Sequence, residues 1–387
     1  MIWFYWISGL ALATMWLIPV LEHARQLHRV AHITDPEWEP SRDFHLPSLA
    51  IVVPARNEAA DIEAALRSLL ALDYPDFEII AVNDRSTDTT GEIIGRLAAD
   101  PVFAGRLRAL HVTELPPRWL GKTHAMWLAA QQTSSEWILF TDADCVFRPD
   151  AMRRAVYYAI SKGVDHLALM PTFHMQTWGE RMIISFPQVA GGFVFRPWKV
   201  SDPEARDSIG VGAFNLVRRP AYLTMGTFEA LRVEVVDDLK FGEAVKKARL
   251  RQDVVFGRGL VTLRWIEGAW GVVRILEKNM FAFLKFRLSF ALAACLLLLF
   301  LNAWPFLGAI VAPGWSRLPF IAAVAMIGVR YHQSEPVTGT PTIVFLATPV
   351  SALLTAIAVV TSAYKALRNG GITWRGTTYP LDELRNK

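Results

Sequence analysis

Residues 2–21 form an unbroken run without a charged side chain, and that run limits how the rest of the chain can be arranged. As a helix it is long enough to cross the hydrocarbon core of a bilayer. A secretory signal would carry basic residues ahead of its apolar stretch, whereas Arg25 and Arg29 follow this one. The positive-inside rule then puts the next segment in the cytoplasm, with a cleaved signal as the alternative. Near the other end, residues 288–312 and 342–364 are also uncharged and long enough to span. Between them, residues 318–329 are short for a crossing and are bracketed by Arg317 and Arg330. Three full crossings would send the basic tail (Lys365, Arg368, Arg375, Arg385 and Lys387) outside. A re-entrant or interfacial middle segment keeps it inside and is the expected arrangement.

The 387 residues leave room for one large domain between these runs. Hydrophobic residues make up 52% and the mean hydropathy is +0.27, both high for a soluble enzyme. A net charge of +4 gives no reason to expect a nucleic-acid partner. The two cysteines, Cys145 and Cys295, support neither a disulfide framework nor a cysteine zinc site.

From residue 49 onward, strands and helices alternate. Residues 49–53 are a buried-strand run broken by Pro54, followed by a helix with Ile62, Leu66, Leu69 and Leu70 on one face. A second strand, 78–82, runs into Asn83-Asp84-Arg85-Ser86-Thr87-Asp88 before a helix over 89–99. A third strand covers 108–112, and a polar loop carrying Lys122 leads to a helix from about 123 to 132. Trp137–Phe140 is the next strand, and it ends on Thr141 followed by Asp142 and Asp144 around one alanine. Such alternation predicts a mostly parallel sheet whose ligand crevice lies at the strand ends. Two carboxylates there would repel unless a divalent cation, Mg²⁺ or Mn²⁺, sits between them and a polyanion. Asp84 and Asp88 could equally be helix caps, and Lys122 a solvated loop lysine. There is no G-x-x-x-x-G-K-[ST] and no G-x-G-x-x-G, so metal, lysine and carboxylates must hold any nucleotide.

The order VVPARNEA, VNDRSTDTT, WLGKTHA and FTDAD resembles the family 2 glycosyltransferases, inverting enzymes with a GT-A fold that use nucleotide-diphosphate sugars. The layout and the tail GITWRG look most like the membrane-bound branch that glycosylates lipids, including hopanoid-associated glycosyltransferases. The resemblance implies that Pro54, Ala55, Arg56 and Glu58 line the nucleoside and that Asp84 contacts base and ribose. It also implies that Lys122 lies near the pyrophosphate, that Asp142 and Asp144 form the D-x-D, and that Asp144 is the direct ligand of a divalent cation. A small-residue strand, residues 210–217, resembles the acceptor side and brings in Gly212 and Asn215. In the acidic pair that follows, Asp238 matches the catalytic base and Asp237 stands where the family usually has glutamate. Both could instead simply cap the helix they precede.

Processive synthases of the family carry Q/R-x-x-R-W after the base. Here Arg264-Trp265 is present but Val261 stands at the first position, which argues against long-chain polymerisation. The stretch 268–287, with Arg274, Glu277, Lys278 and Lys285 among many apolar residues, suits an interfacial helix, and Arg274 and Lys278 are candidate acceptor-side contacts.

The expected layout is a transmembrane helix (1–21), a linker (22–47), a cytosolic GT-A domain (48–267), an interfacial helix (268–287), membrane segments (288–366) and a basic cytosolic tail (367–387). The expected protein sits in the cytoplasmic membrane. It takes a nucleotide-diphosphate sugar, a UDP-sugar first, and a lipid acceptor, with membrane lipids around it and no nucleic acid. The rival readings are a nucleotidyltransferase, which would usually show a Gly-rich loop that VVPARNEA lacks, and a non-catalytic membrane scaffold or transporter. Transport would call for charges inside the spans, and residues 288–312 and 342–364 contain none.

Overall fold

The computed structural model describes residues 1–191, 195–265, 267–374 and 377–381, apart from the side chains of 278, 279 and 372–379. The chain divides into two units. One comprises Val30–His174 and Pro197–Arg264; the other comprises Met1–Arg29, Met175–Arg196 and Trp265–Lys387.

In chain order the helices and strands begin with α1 (Ile2–Gln26), β1 (Leu49–Ala55), α2 (Ile62–Leu70), β2 (Phe77–Asp84), α3 (Thr90–Ala98) and β3 (Leu107–Val112). They continue with α4 (Gly121–Ala130), β4 (Trp137–Phe140), β5 (Val146–Phe147), α5 (Ala151–Lys162), β6 (His166–Met170), β7 (Thr172–Phe173) and α6 (Trp178–Ala190). Next come β8 (Asn215–Arg218), α7 (Arg219–Thr224), α8 (Asp237–Lys247), β9 (Gln252–Phe256) and β10 (Val261–Leu263). The C-terminal part holds α9 (Gly268–Phe283), α10 (Leu288–Asn302), α11 (Trp304–Val311), α12 (Leu318–Thr338) and α13 (Thr348–Arg368), then a hairpin of β11 (Gly371–Trp374) and β12 (Thr377–Pro380).

The first unit is built on a seven-stranded sheet in the order β3-β2-β1-β4-β8-β6-β9. All its pairings are parallel except those of β8, which runs antiparallel to β4 and to β6. The expected α/β class with a mostly parallel central sheet is therefore what forms. β1 and β4 are continuous apolar runs because helices cover both faces of a parallel sheet. The reversal of β8 brings the start of that strand, not its end, to the edge where β4 delivers the D-x-D. Thr141 Oγ1 donates to the carbonyl of Ala213 at 2.8 Å and fastens the two there. Beneath this edge Phe140, Tyr222, Phe228 and Phe241 pack ring on ring, all nearly inaccessible. Truncating Phe140 to alanine would cost about 3–5 kcal/mol.

Two starting points differ from expectation. α4 begins at Gly121, two residues earlier than the periodicity suggests, because Leu120 is anchored by its N–H to the carbonyl of Arg232 at 2.7 Å. Lys122 is thus in a first helical turn and not on a loop. The small-residue stretch expected as a strand over 210–217 pairs only from Asn215, and residues 210–214 form the loop ahead of β8.

In the second unit, α1 and α12 lie side by side and run the same way. Gly9 packs against Pro319 and Phe320, and Gln333 Nε2 donates to the carbonyl of Val20 at 3.2 Å. Expected as a short segment over 318–329, α12 instead continues through Arg330 for 21 residues. Among the described residues two helical stretches, Ile2–Arg29 and Thr342–Arg368, are long and apolar enough to cross a membrane. The pair α10 and α11, bent by 46°, makes a third if it counts as one span. α9 forms where the interfacial helix was expected. It is tied to α13 by Lys365 and Glu277 at 2.5 Å and by the Phe281 N–H donating to Ser362 Oγ at 3.0 Å.

Candidate active site

The loops that leave β1 and β2 are stitched into one surface. Asn57, held in the left-handed region at φ 55°, accepts at Oδ1 from the Thr87 N–H at 2.8 Å, while its own N–H donates to Ser86 Oγ. The Glu58 N–H donates to Thr90 Oγ1 at 2.8 Å and the Ala59 N–H to Asp88 Oδ2 at 3.2 Å. Asp88 also accepts from the Thr90 N–H at 3.0 Å, the first N–H of α3, although the N-cap position itself is Thr89 and Asp84 takes no part in the helix start. Pro54 and Ala55 close β1 beside Val82 and Asn83, and Arg56 and Glu58 are half-buried just beyond them.

Asp84 is buried and is gripped by Arg85, with Nε 2.7 Å from Oδ1 and Nη2 3.1 Å from Oδ2. Arg85 has φ 52°, a backbone conformation that costs a residue with a side chain roughly 1–2 kcal/mol. A Cβ on Gly121 would stand 2.2 Å from Asp84 Oδ2, so only glycine lets the first turn of α4 close on this pair.

Lys122, one residue on, ties the remaining acids together. Its Nζ lies 2.7 Å from Asp142 Oδ1 and 3.4 Å from Asp237 Oδ2. Burial works against its charge, but Asp142, Asp237 and Asp238 outweigh burial and raise its pKa. Asp144 has the opposite surroundings. Burial, then Asp142 and Glu58, push its carboxyl up to about 7. A half-buried acid among like charges is a site that a cation would relieve, and hard carboxylate oxygens suit Mg²⁺ or Mn²⁺. No group of three or more His, Cys, Asp or Glu converges on one point among the described residues. Asp144 with Asp142 therefore fits a cation that takes its other ligands from a diphosphate and water. The neighbouring Cys145 thiol is buried and pushed well above its usual range, by burial first and then by Asp144 and Asp142.

Asp237 and Asp238 occupy the first turn of α8. Asp237 faces Lys122, while Asp238 Oδ1 accepts from the Leu239 N–H at 2.8 Å. Burial and then Asp237 raise Asp238 to about 6, with Lys122 pulling the other way. Gly212 belongs to the same cluster: a Cβ there would lie 2.7 Å from Asp142 Oδ2 and 3.5 Å from Lys122 Nζ. Asn215 is buried, with its amide turned into the protein towards His166 and the Val211 N–H. Arg274 is exposed on α9 in the other unit, and the side chain of Lys278 lies outside the described residues. Sequence reasoning passed over Arg85, Gly121 and Gly210. The G-V-G spacing was the available signal for the last, since two glycines so close mark a tight approach of backbones.

Lys122, Asp142, Asp144 and Gly212 of this cluster, but not Asp237 and Asp238, lie within residues 50–223, which match the profile of the family described as Glycosyl transferase family 2. These residues resemble a glycosyltransferase family 2 domain. The 4,4'-diaponeurosporenoate glycosyltransferase of Staphylococcus aureus (strain USA300) is 25% identical over 226 residues, 57% of this chain and 57% of that protein. The chain thus matches little more than half of that relative's length. Among solved structures, the mannosyltransferase PcManGT from Pyrobaculum calidifontis in complex with GDP-Man and Mn²⁺ is similar, at 20% identity and a TM-score of 0.54. The overlay takes in 94% of this chain and 99% of that one, and it supports the GT-A fold.

Proposed function

We propose that the protein is an inverting, non-processive glycosyltransferase that moves a sugar from a nucleotide-diphosphate donor to a hydroxyl of a lipid acceptor. The observation that carries this is the position of Lys122, which joins Asp142 of the D-x-D to Asp237 of the acidic pair. Donor-side and base-side acids thereby share one cation and one small volume. Inverting displacement at an anomeric carbon needs a base for the acceptor, a held acceptor and a stabilised leaving diphosphate. Asp238 takes the hydroxyl proton as the new bond forms, and its raised pKa keeps it basic enough to do so near neutrality. Lys122 places positive charge where the leaving group's negative charge grows. Asp144 and Asp142 would hold a divalent cation, which supplies further charge neutralisation to the departing oxygen. Pro54, Ala55, Arg56, Glu58 and Asp84 make the nucleoside wall.

A lipid acceptor suits a chain with apolar helices at both ends, and the relative named for 4,4'-diaponeurosporenoate supports an apolar acceptor. A hopanoid-type lipid is one such acceptor. Arg25 in the last turn of α1 and Arg29 just after it support a catalytic domain on the cytosolic side of the cytoplasmic membrane, and α9 suits an interfacial helix. The family match favours glycosyl transfer over nucleotidyl transfer and over a scaffold role. Both UDP- and GDP-sugars are candidate donors. The test is release of nucleoside diphosphate from a panel of nucleotide sugars, using purified protein with Mn²⁺ and total membrane lipid. Lipid-dependent release from one donor is expected, and none from any donor would refute the reading.

A further inference from the structure

Behind the cluster, three buried polar side chains from three strands form a closed network. His166 of β6 lies with Nε2 3.1 Å from Asn215 Oδ1 and Nδ1 2.9 Å from Gln252 Nε2. The backbone decides which way each group points. Asn215 Oδ1 accepts from the Val211 N–H at 3.0 Å, and Gln252 Oε1 accepts from the Ile209 N–H at 3.0 Å. Gln252 Nε2 also donates to the Gly242 carbonyl at 3.2 Å. His166 must therefore donate from Nε2 and accept at Nδ1, which fixes a neutral ring. Burial, with the Asn215 bond opposing it, lowers its pKa to about 4 and agrees with that state. All three residues are at most 3% exposed, so each unmet bond would cost the full desolvation of a buried group.

What the network holds is the backbone of residues 209–211, and that backbone is wedged against the reacting groups. A Cβ on Gly210 would fall 1.8 Å from the carbonyl oxygen of Asp238, and one on Gly242 would fall 2.1 Å from that of Ile209. Two residues on, Gly212 abuts Asp142. A shift of this loop by a fraction of an ångström therefore moves the first turn of α8, and Asp238 with it, relative to the D-x-D.

We propose that His166, Asn215 and Gln252 are positioning residues that set the separation of Asp238 from Asp142 by clamping the 209–212 loop. This rests on the transfer reading above, since it gives Asp238 the role of base. The test compares Asn215→Ala and Gln252→Leu with Leu66→Ala, which removes a fully buried side chain from α2 and lowers stability without touching the loop. Folded sites are counted by calorimetric titration with GDP or UDP plus Mn²⁺, and nucleotide release is measured per site. Hydrogen exchange of the peptide covering 207–214 is followed in parallel.

For the two network variants, exchange in that peptide should speed at least tenfold beyond Leu66→Ala. Release per site should fall tenfold or more, with nucleotide affinity kept within threefold. Asn215→Asp, which can still accept both bonds, should recover much of each loss. Loop exchange no faster than in Leu66→Ala, or release per site equal to wild type, would overturn the proposal. Equal release from wild type and Asp238→Asn would instead sink the transfer reading, while the exchange comparison would still judge the clamp.

Discussion

Replacing Asp238 by asparagine separates catalysis from stability more cleanly than any other change in the site. The amide is nearly isosteric, and its Oδ1 can still accept from the Leu239 N–H that the carboxylate holds at 2.8 Å. It cannot take a proton. A positioned base contributes roughly 10²–10⁴ in rate, which is about 3–5 kcal/mol of barrier. The fold should respond in the opposite direction. In the native state the Asp238 carboxyl titrates at about 6, against 3.8 ordinarily, so the native state binds more protons between those values. Stability contributed by this group is therefore lost as pH rises through that window, and at pH 7.5 the half-buried charge beside Asp237 is a burden that asparagine removes.

The expected outcome at pH 7.5 is a melting temperature equal to or above wild type, with nucleotide affinity unchanged and sugar transfer down by two to four orders of magnitude. Differential scanning calorimetry, nucleotide titration and radiolabelled sugar transfer measure the three quantities. Normal nucleotide binding with near-wild-type turnover would refute the base assignment. A fall in melting temperature would refute the electrostatic account of this carboxyl.

Other consequences can be measured directly. Removing divalent cations with EDTA should abolish transfer and Mn²⁺ or Mg²⁺ should restore it, because Asp142 and Asp144 must face a diphosphate; full activity in metal-free buffer would contradict this. The rate under kcat/KM conditions should fall about tenfold per pH unit below about 6 as Asp238 gains its proton, and a profile flat to pH 5 would count against it as base. Gly210→Ala should abolish turnover, because its Cβ would stand 1.8 Å from the Asp238 carbonyl oxygen. Gly95→Ala, in α3 with nothing within 4 Å of the added methyl, should raise stability by about 0.5–1 kcal/mol and leave turnover alone. Turnover that survives in the first variant, or falls in the second, would contradict the packing argument.

The parallel half of the sheet was legible because β1, β2 and β4 are short apolar runs ended by polar residues, a local signal that chain neighbours alone produce. The direction of β8 was not, since nothing in Asn-Leu-Val-Arg says which way it will run between β4 and β6. The start of α4 was misplaced for a similar reason, as a bond from Leu120 to Arg232, 112 positions away, sets it. α12 outran its apolar stretch because Arg330 reads as an end in sequence, whereas in the protein it is 2% exposed and bonded to Gln333. The acids of the site could be named one by one from their places after strands. Their joining through Lys122, and the inward turn of Asn215, depend on contacts between segments far apart in the chain and have no local signature.

The pairing of α1 with α12 has a consequence for synthesis. Trp16 Nε1 donates to the carbonyl of Leu301, 285 positions later, and Val20 waits for Gln333, 313 positions later. At about 5–20 residues per second, α1 stands without these partners for roughly 15–60 s after it leaves the ribosome. In that interval the whole seven-stranded unit emerges, and all its strands are made before α10 begins. α1 is thus among the last helices to be packed, and a ribosome stalled anywhere before residue 301 leaves it exposed to whatever else can cover Trp16.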